Sequence, residues 1–251
     1  MKLAIYQGPS PQGDETDALQ RVESILSSAV RAGAALVVLP ELFLPGYNQM
    51  QRHNALAQVQ GGGWEQAFSR LALKAKCGLC IGWAERADGK IYNAASCFVA
   101  TGKKIAHYRK QHPYGPTEKS IFIAGDGDCV FNFNGKKTAI LICYDVEFAQ
   151  RVRGLHERGV ELLLVPTANP IDFDVVSDAL VPARAFESRM TIAYANLCGT
   201  ENGLTYGGKS VIVGPDGAIL AKAGRGEAML VVDLDVIDAI DPSLLSTQLQ
   251  E

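Results

Sequence analysis

Three apolar runs in this chain each close on a residue that can do chemistry. "ALVVLPE" ends at Glu41, "KIAHYRK" at Lys110 and "TAILIC" at Cys143. In open α/β sheets ligands sit beyond the carboxyl ends of the strands, so a carboxylate, an ammonium and a thiol at three such ends are expected to face one pocket. A free cysteine is mostly thiol at neutral pH, and a neighbouring cation favours its thiolate. Glu41, once desolvated, would have a raised pKa and serve as general base. Lys110 would favour the thiolate and then stabilise an oxyanion, with the backbone N–H of Tyr144 as a second donor. Taken singly, Glu41 also reads as a cap, Lys110 as a solvated strand-end charge and Cys143 as packing. Their coincidence at three strand ends favours a site.

Other reactive patterns fail on context. Of the four histidines, His53, His107, His112 and His156, the strand residue His107 and the helix residue His156 lack the sequence context of a Cys-His protease, which disfavours a papain-type site without closing it. "CGLC" (77–80) has redox-pair spacing, but it follows a helix and enters a strand, whereas a working pair needs its first thiol at a helix N-terminus. No second pair or spaced histidines complete a zinc site, and no metal is expected. "GLTYGGKS" (203–210) satisfies the P-loop pattern, yet "VIVGPDG" follows it, a β run where a phosphate-binding helix is required. It reads as a bend before a strand.

The elements that must position the three residues are legible. "KLAIYQG" reads as a strand, and "DETDALQRVESILSSAVRAGA" (14–34) as an amphipathic helix stopped near Gly33. "ALVVLP" is a strand buried on both faces, "WEQAFSRLALKAKCG" (64–78) a second helix and "LCIGWAE" a strand. "ADGK", "TGKK" and "NGKK" mark three hairpins. "VEFAQRVRGLHERG" (146–159) and "DVVSDALVPARAFESR" (174–189) predict two more helices, separated by the strand "VELLLVPTAN". "TIAYANL", "KSVIVGPDGAILAKAG" and "EAMLVVDLD" close the chain as strands. Without a linker or repeat, residues 1–251 read as one α/β domain with mixed sheets inside and helices outside.

The totals agree with a soluble globular protein. The 251 residues are 47% hydrophobic and 20% charged, and the net charge of −3 gives no case for nucleic acid or anionic membrane. The N-terminus enters a strand-like run without a signal peptide, and no apolar stretch suits a bilayer span. Six cysteines in a chain of this length read as reduced thiols in a cytoplasm.

These stretches resemble the nitrilase superfamily of carbon–nitrogen hydrolases. The resemblance runs through "LVVLPELFLPGYN" (36–48), "HYRKQHPYGPTEKSIF" (107–122), "AILICYDVEFAQRVR" (139–153), "LLLVPTANP" (162–170), "RAFESR" (184–189) and "YGGKSVIVGPDG" (206–217). It implies a four-layer αββα sandwich, two mixed β-sheets flanked by helices. It also implies a Glu41–Lys110–Cys143 triad, with Glu118 as a second glutamate that supports the lysine and positions substrate. The implied reaction is acyl transfer through a Cys143 thioester, with Glu41 moving the protons and no metal or organic cofactor. Members of the family usually pair across a helical face, so a homodimer is expected. The short tail "DAIDPSLLSTQLQE" leaves exchange of tails between partners open.

"CYDVEF" after the nucleophile resembles the amidases, including stereoselective and ω-amidase-like enzymes, more than the true nitrilases. The substrate is therefore expected to be a small carboxamide, bound by Tyr47, Tyr114, Tyr144 and Asn169 with Phe148 nearby. Glu118 is a candidate for binding a substrate ammonium. The competing readings are an ω-amidase, which needs a cation for the distal carboxylate, a nitrilase, and an inactive interaction subunit. The last would be expected to lack a triad member.

Overall fold

β1 (Lys2–Gln7) shows in six residues why this chain must build layers. Leu3 and Ile5 face one apolar core while Ala4 and Tyr6 face another, because successive side chains leave a strand on opposite sides. A sheet made of such strands needs a cover on both faces. The computed structural model describes residues 1–248, so the last three residues of the tail lie outside it.

After β1 come α1 (Glu15–Arg31), β2 (Ala34–Val38), α2 (His53–Leu56), α3 (Gly63–Ala75), β3 (Gly78–Ala87), β4 (Lys90–Phe98) and β5 (Lys104–Arg109). A short helix, α4 (Gly115–Ile121), leads to β6 (Cys129–Phe133), β7 (Lys136–Ile140), α5 (Ala149–Glu157), β8 (Leu162–Thr167) and α6 (Val181–Ser188). β9 (Thr191–Asn196), the small pair β10 (Thr200–Glu201) and β11 (Leu204–Thr205), β12 (Val211–Val213), β13 (Ile219–Lys222) and β14 (Ala228–Asp233) follow.

Two six-stranded mixed sheets result, ordered β14-β1-β2-β3-β4-β5 and β13-β12-β9-β8-β7-β6. β1, β2 and β3 run parallel, as do β7, β8 and β9, and the flanking strands are antiparallel. Leu3, Ile5, Leu36 and Val38 of the first sheet pack against the second, whose far side is covered by Val152 and Leu155 of α5 and Val181 and Ala185 of α6. Val22 and Leu26 of α1 and Phe68 and Ala72 of α3 cover the other face of the first sheet. The expected αββα sandwich is the fold. Among the described residues no helix is long and apolar enough to cross a membrane.

Local chemistry sets the ends. Asp14 caps α1, its carboxylate accepting from Asp17 N at 2.9 Å, and Gly33 takes φ 80° just beyond it. Asp88–Gly89 and Asn134–Gly135 both have positive φ, the requirement of a two-residue hairpin turn. Two helices differ from expectation. The predicted helix over 146–159 starts late because Cys143–Glu147 is a 3₁₀ turn, and the helix over 174–189 contains a π turn at Val176–Leu180.

Candidate active site

The first leg leaves β2 and lies directly on β3. Leu39 N donates to Cys80 O at 2.8 Å and Gly82 N to Pro40 O at 3.3 Å. Glu41 N reaches Thr167 O of β8 at 3.3 Å, so the Glu41 backbone joins the two sheets at their strand ends. Only glycine fits at position 82. A Cβ there would stand 2.6 Å from Leu42 N, 2.7 Å from Pro40 O and 2.8 Å from Glu41 Cα. The Glu41 side chain is fully buried. Its Oε1 accepts from Asn93 Nδ2 and Lys110 Nζ, each at 2.7 Å, while Oε2 has no partner among the described residues. Burial raises its pKa to about 6; the Lys110 charge opposes that rise and the Glu118 charge adds to it.

Lys110 directly follows β5, and its N–H donates to Asn93 O at 2.8 Å. Its ammonium contacts Glu41 Oε1 at 2.7 Å and both Glu118 oxygens at 3.0 Å, with no exposure of the side chain. Burial disfavours the charge, but the two carboxylates outweigh it and hold the pKa well above the usual lysine value. A fixed cation therefore occupies the centre of the site.

α4, which has no counterpart among the elements read from the sequence, brings in Glu118. Its carboxylate accepts Lys110 Nζ on both oxygens, Tyr47 OH at 2.5 Å and Tyr114 N at 3.0 Å. A carboxylate has about four acceptor positions, and here the protein fills them. The expectation that Glu118 binds a substrate ammonium is therefore corrected: this side chain is committed to Lys110 and Tyr47.

Cys143 stands at a sharp bend between β7 and the 3₁₀ turn, with φ 47°, a left-handed conformation costly for a side chain with a Cβ. Asp145 holds the bend. Its Oδ2 accepts from Ile142 N at 3.2 Å and Tyr108 OH at 2.8 Å, and its Oδ1 from His112 N at 2.9 Å and His112 Nδ1 at 2.8 Å. The thiol lies 3.3 Å from Asn169 Oδ1, and Asn169 is itself fixed by Nδ2 donating to Tyr194 OH at 2.6 Å. Burial and the Glu41 charge push the thiol pKa well above its usual value, against the pull of Lys110. Lys110 acts in the direction expected from the sequence, favouring the thiolate, but burial and the Glu41 charge outweigh it. The proton must be removed during attack.

A cavity of about 210 Å³ opens onto Cys143, and Tyr47, Tyr114, Glu118, Asn169 and Phe173 line it. Tyr144 is not among its lining residues. Its ring stands edge-on to Tyr114 at 5.1 Å and to Phe148 at 4.9 Å, so it supports the wall from behind. Its N–H lies in the first turn after Cys143, where helical N–H groups lack intrahelical partners.

The remaining sequence candidates are structural. Cys77, just before β3, and Cys80 within it belong to different apolar cores, and all six cysteines are free. The false P-loop enters β12 through Lys209 without a helix. His107 lies between Ser96 Oγ at 3.0 Å and Glu85 Oε2 at 2.8 Å, but Ser96 is fully buried and also bonds Glu65. Among the described residues no cluster of three or more His, Cys, Asp or Glu side chains is arranged to hold a metal ion. Sequence reasoning missed Asn93, Asp145 and Glu147. Asn93 carried a signal, a polar residue inside the buried run "IYNAASCF".

Fold and site together are those of a hydrolase of carbon–nitrogen bonds, and the chain belongs to the carbon–nitrogen hydrolase family, whose model matches residues 2–240. It is 42% identical over 238 residues to a protein of Pseudomonas protegens described as a hydrolase in the pqqF 5′ region, covering 94% of this chain and 83% of that one. It is 29% identical over 237 residues to an (R)-stereoselective amidase of a Pseudomonas species, covering 94% and 85%. A cysteine-to-alanine variant of the amidase from Nesterenkonia sp. AN1, in complex with butyramide, superposes with a TM-score of 0.90 at 33% identity, covering 100% of this chain and 93% of that one.

Proposed function

We propose that the protein is an amidase that hydrolyses a small carboxamide to the acid and ammonia through a thioester on Cys143. The observation that carries this reading is the buried cluster itself: one ammonium, Lys110, bonded to two carboxylates beside a buried thiol. Glu41 Oε2, without a partner among the described residues, takes the thiol proton as sulfur attacks the amide carbonyl. Lys110 and the Tyr144 N–H receive the developing oxyanion. The C–N bond then breaks, and protonated Glu41 gives its proton to the leaving nitrogen as ammonia departs. Water attacks the thioester, Glu41 takes a proton from it, and the acid leaves with the thiol restored. Tyr47, Tyr114 and Asn169 shape the acyl pocket. The similarity to proteins described as amidases and the 210 Å³ cavity support a small amide.

Ammonia release from short aliphatic, aromatic and amino-acid amides, monoamides of dicarboxylic acids and nitriles tests this, with Cys143→Ala alongside. Release from amides that disappears in the variant is expected. Preference for dicarboxylic monoamides would instead define an ω-amidase, and turnover of nitriles alone a nitrilase. Silence from a folded protein across the panel would point first to a specialised substrate and second to an interaction subunit. Pairing through a helical face into a homodimer and residence in the cytoplasm belong to the same proposal, the first open to sedimentation analysis and the second to cell fractionation.

A further inference from the structure

The charged side chains lining the cavity are, among the described residues, Glu118 and Glu147. Glu118 is saturated by Lys110, Tyr47 and Tyr114. The half-buried Glu147 carboxylate makes no hydrogen bond or ion pair with any described residue. Burial disfavours its ionised form; the Lys110 ammonium and the Arg184 guanidinium favour that form electrostatically, but neither pairs with it among the described residues. Arg184 Nη2 donates to the Glu147 backbone oxygen at 2.9 Å, and Nη1 pairs with Glu187 at 3.1 Å. A partly desolvated carboxylate facing a ligand space without a protein partner favours a cation in that space.

Its position relative to the thiol is narrowly set. Cys143 and Glu147 are the two ends of one 3₁₀ turn, so at about 2 Å of rise per residue their Cα atoms lie roughly 8 Å apart. Both line the same cavity, leaving room between them for only a few atoms. The charge at the centre points the same way, since Lys110 faces two carboxylates, Glu41 and Glu118. No lysine or arginine lines the cavity among the described residues, and Lys110 is already bonded to Glu41 and Glu118, so a substrate carboxylate would meet Glu147 with no uncommitted cation on the cavity wall.

We infer that Glu147 is a specificity residue that binds a substrate ammonium, so that the preferred substrates are amides with an amino group one or two carbons from the reacting carbonyl. This rests on the amidase reading and names its substrate class.

Alaninamide and isobutyramide differ in having an ammonium or a methyl group at the same position, and succinamate supplies a carboxylate. At pH 7 the amine of alaninamide is mostly protonated. Wild-type protein is expected to show the highest kcat/KM on alaninamide and the lowest on succinamate. Glu147→Gln is expected to lower the alaninamide-to-isobutyramide ratio of kcat/KM by about 10- to 100-fold, the range of one charge-assisted hydrogen bond. Glu147→Arg should shift the preference toward succinamate. Calorimetric titration of the two amides into Cys143→Ala, with and without Glu147→Gln, reads the same ratio without turnover. A ratio unmoved by Glu147→Gln, or a wild-type preference for succinamate, would overturn the inference and leave the amidase reading standing. No ammonia from these three or from any other amide of the wider panel, from folded protein, would remove that reading and this inference with it.

Discussion

The Tyr108 hydroxyl donates to Asp145 Oδ2 at 2.8 Å, joining the strand that presents Lys110 to the turn that presents Cys143. Tyr108 lies two residues before the lysine and Asp145 two residues after the cysteine, so this bond, with the two that His112 makes to the same carboxylate, ties the ammonium's segment to the thiol's. Tyr108→Phe leaves that oxygen with only the longer contact from Ile142 N. Losing one partner of a buried carboxylate costs about 1–3 kcal/mol. Because displacement of reacting groups by an ångström costs on the order of 100-fold, kcat is expected to fall about 10- to 100-fold with little change in KM. Steady-state kinetics and urea unfolding check both parts, and an unchanged kcat would mean that Asp145 holds the bend without Tyr108.

Gly82 sets the other carboxylate. Its missing side chain lets Pro40, Glu41 and Leu42 lie on β3, and a Cβ would press on three backbone atoms between 2.6 and 2.8 Å away. Backbone cannot rotate aside as a long side chain can. Gly82→Ala is therefore expected to cost about 1–3 kcal/mol, as overpacking does. It should also displace Glu41 and reduce kcat further than the loss of folded protein accounts for. Thermal unfolding measured beside kcat separates the two effects. Wild-type kcat in a destabilised variant would show that Glu41 tolerates the shift.

The three strand ends were legible because polar residues interrupt apolar runs there, and strand periodicity turned that interruption into a place. The layers were legible for the same reason, since β2 read as buried on both faces. What escaped was carried by short-range geometry. The seven-residue α4 lacks the length for a helical period, so Glu118 could be placed only by resemblance. The left-handed Cys143 backbone and the 3₁₀ turn after it broke the helical register expected over 146–159. That break sent Tyr144 behind the wall and Glu147 onto the cavity. Glu118 looked available for substrate because a sequence does not reveal which acceptors the fold itself will fill.

The raised pKa of Glu41 predicts the pH profile. Burial moves it to about 6, and the carboxylate must be ionised to accept the thiol proton. Activity is therefore expected to be full above that value and to fall as pH drops through about 6, with kcat/KM reporting the free enzyme. The limb belongs to Glu41 as the Lys110 and Glu118 charges beside it shape it, not to an isolated carboxylate. A pH series with a neutral amide such as isobutyramide avoids titration of the substrate. An acid limb near the ordinary glutamate value of 4.5 would argue against burial as the controlling influence.

Acid stability should be governed away from the cavity, at Glu85. This buried carboxylate accepts Arg109 Nε at 2.8 Å and Nη2 at 2.6 Å, His107 Nε2 at 2.8 Å and Gln60 Nε2 at 2.9 Å. Burial alone would raise its pKa, but these bonds outweigh burial and hold it at about 2, against an ordinary 4.5. The folded state consequently binds fewer protons than the unfolded state between those values. Glu85 contributes its full stabilisation above pH 4.5, and that contribution is lost as pH falls toward 2. Glu85→Gln should be less stable than wild type at neutral pH, because Arg109 and His107 lose a charged acceptor. The gap should narrow through the acid window, as the wild type loses an advantage the variant never had. Urea unfolding of both proteins at a series of pH values from neutral to about 3 measures the gap directly, and a gap constant across the series would place the acid sensitivity elsewhere.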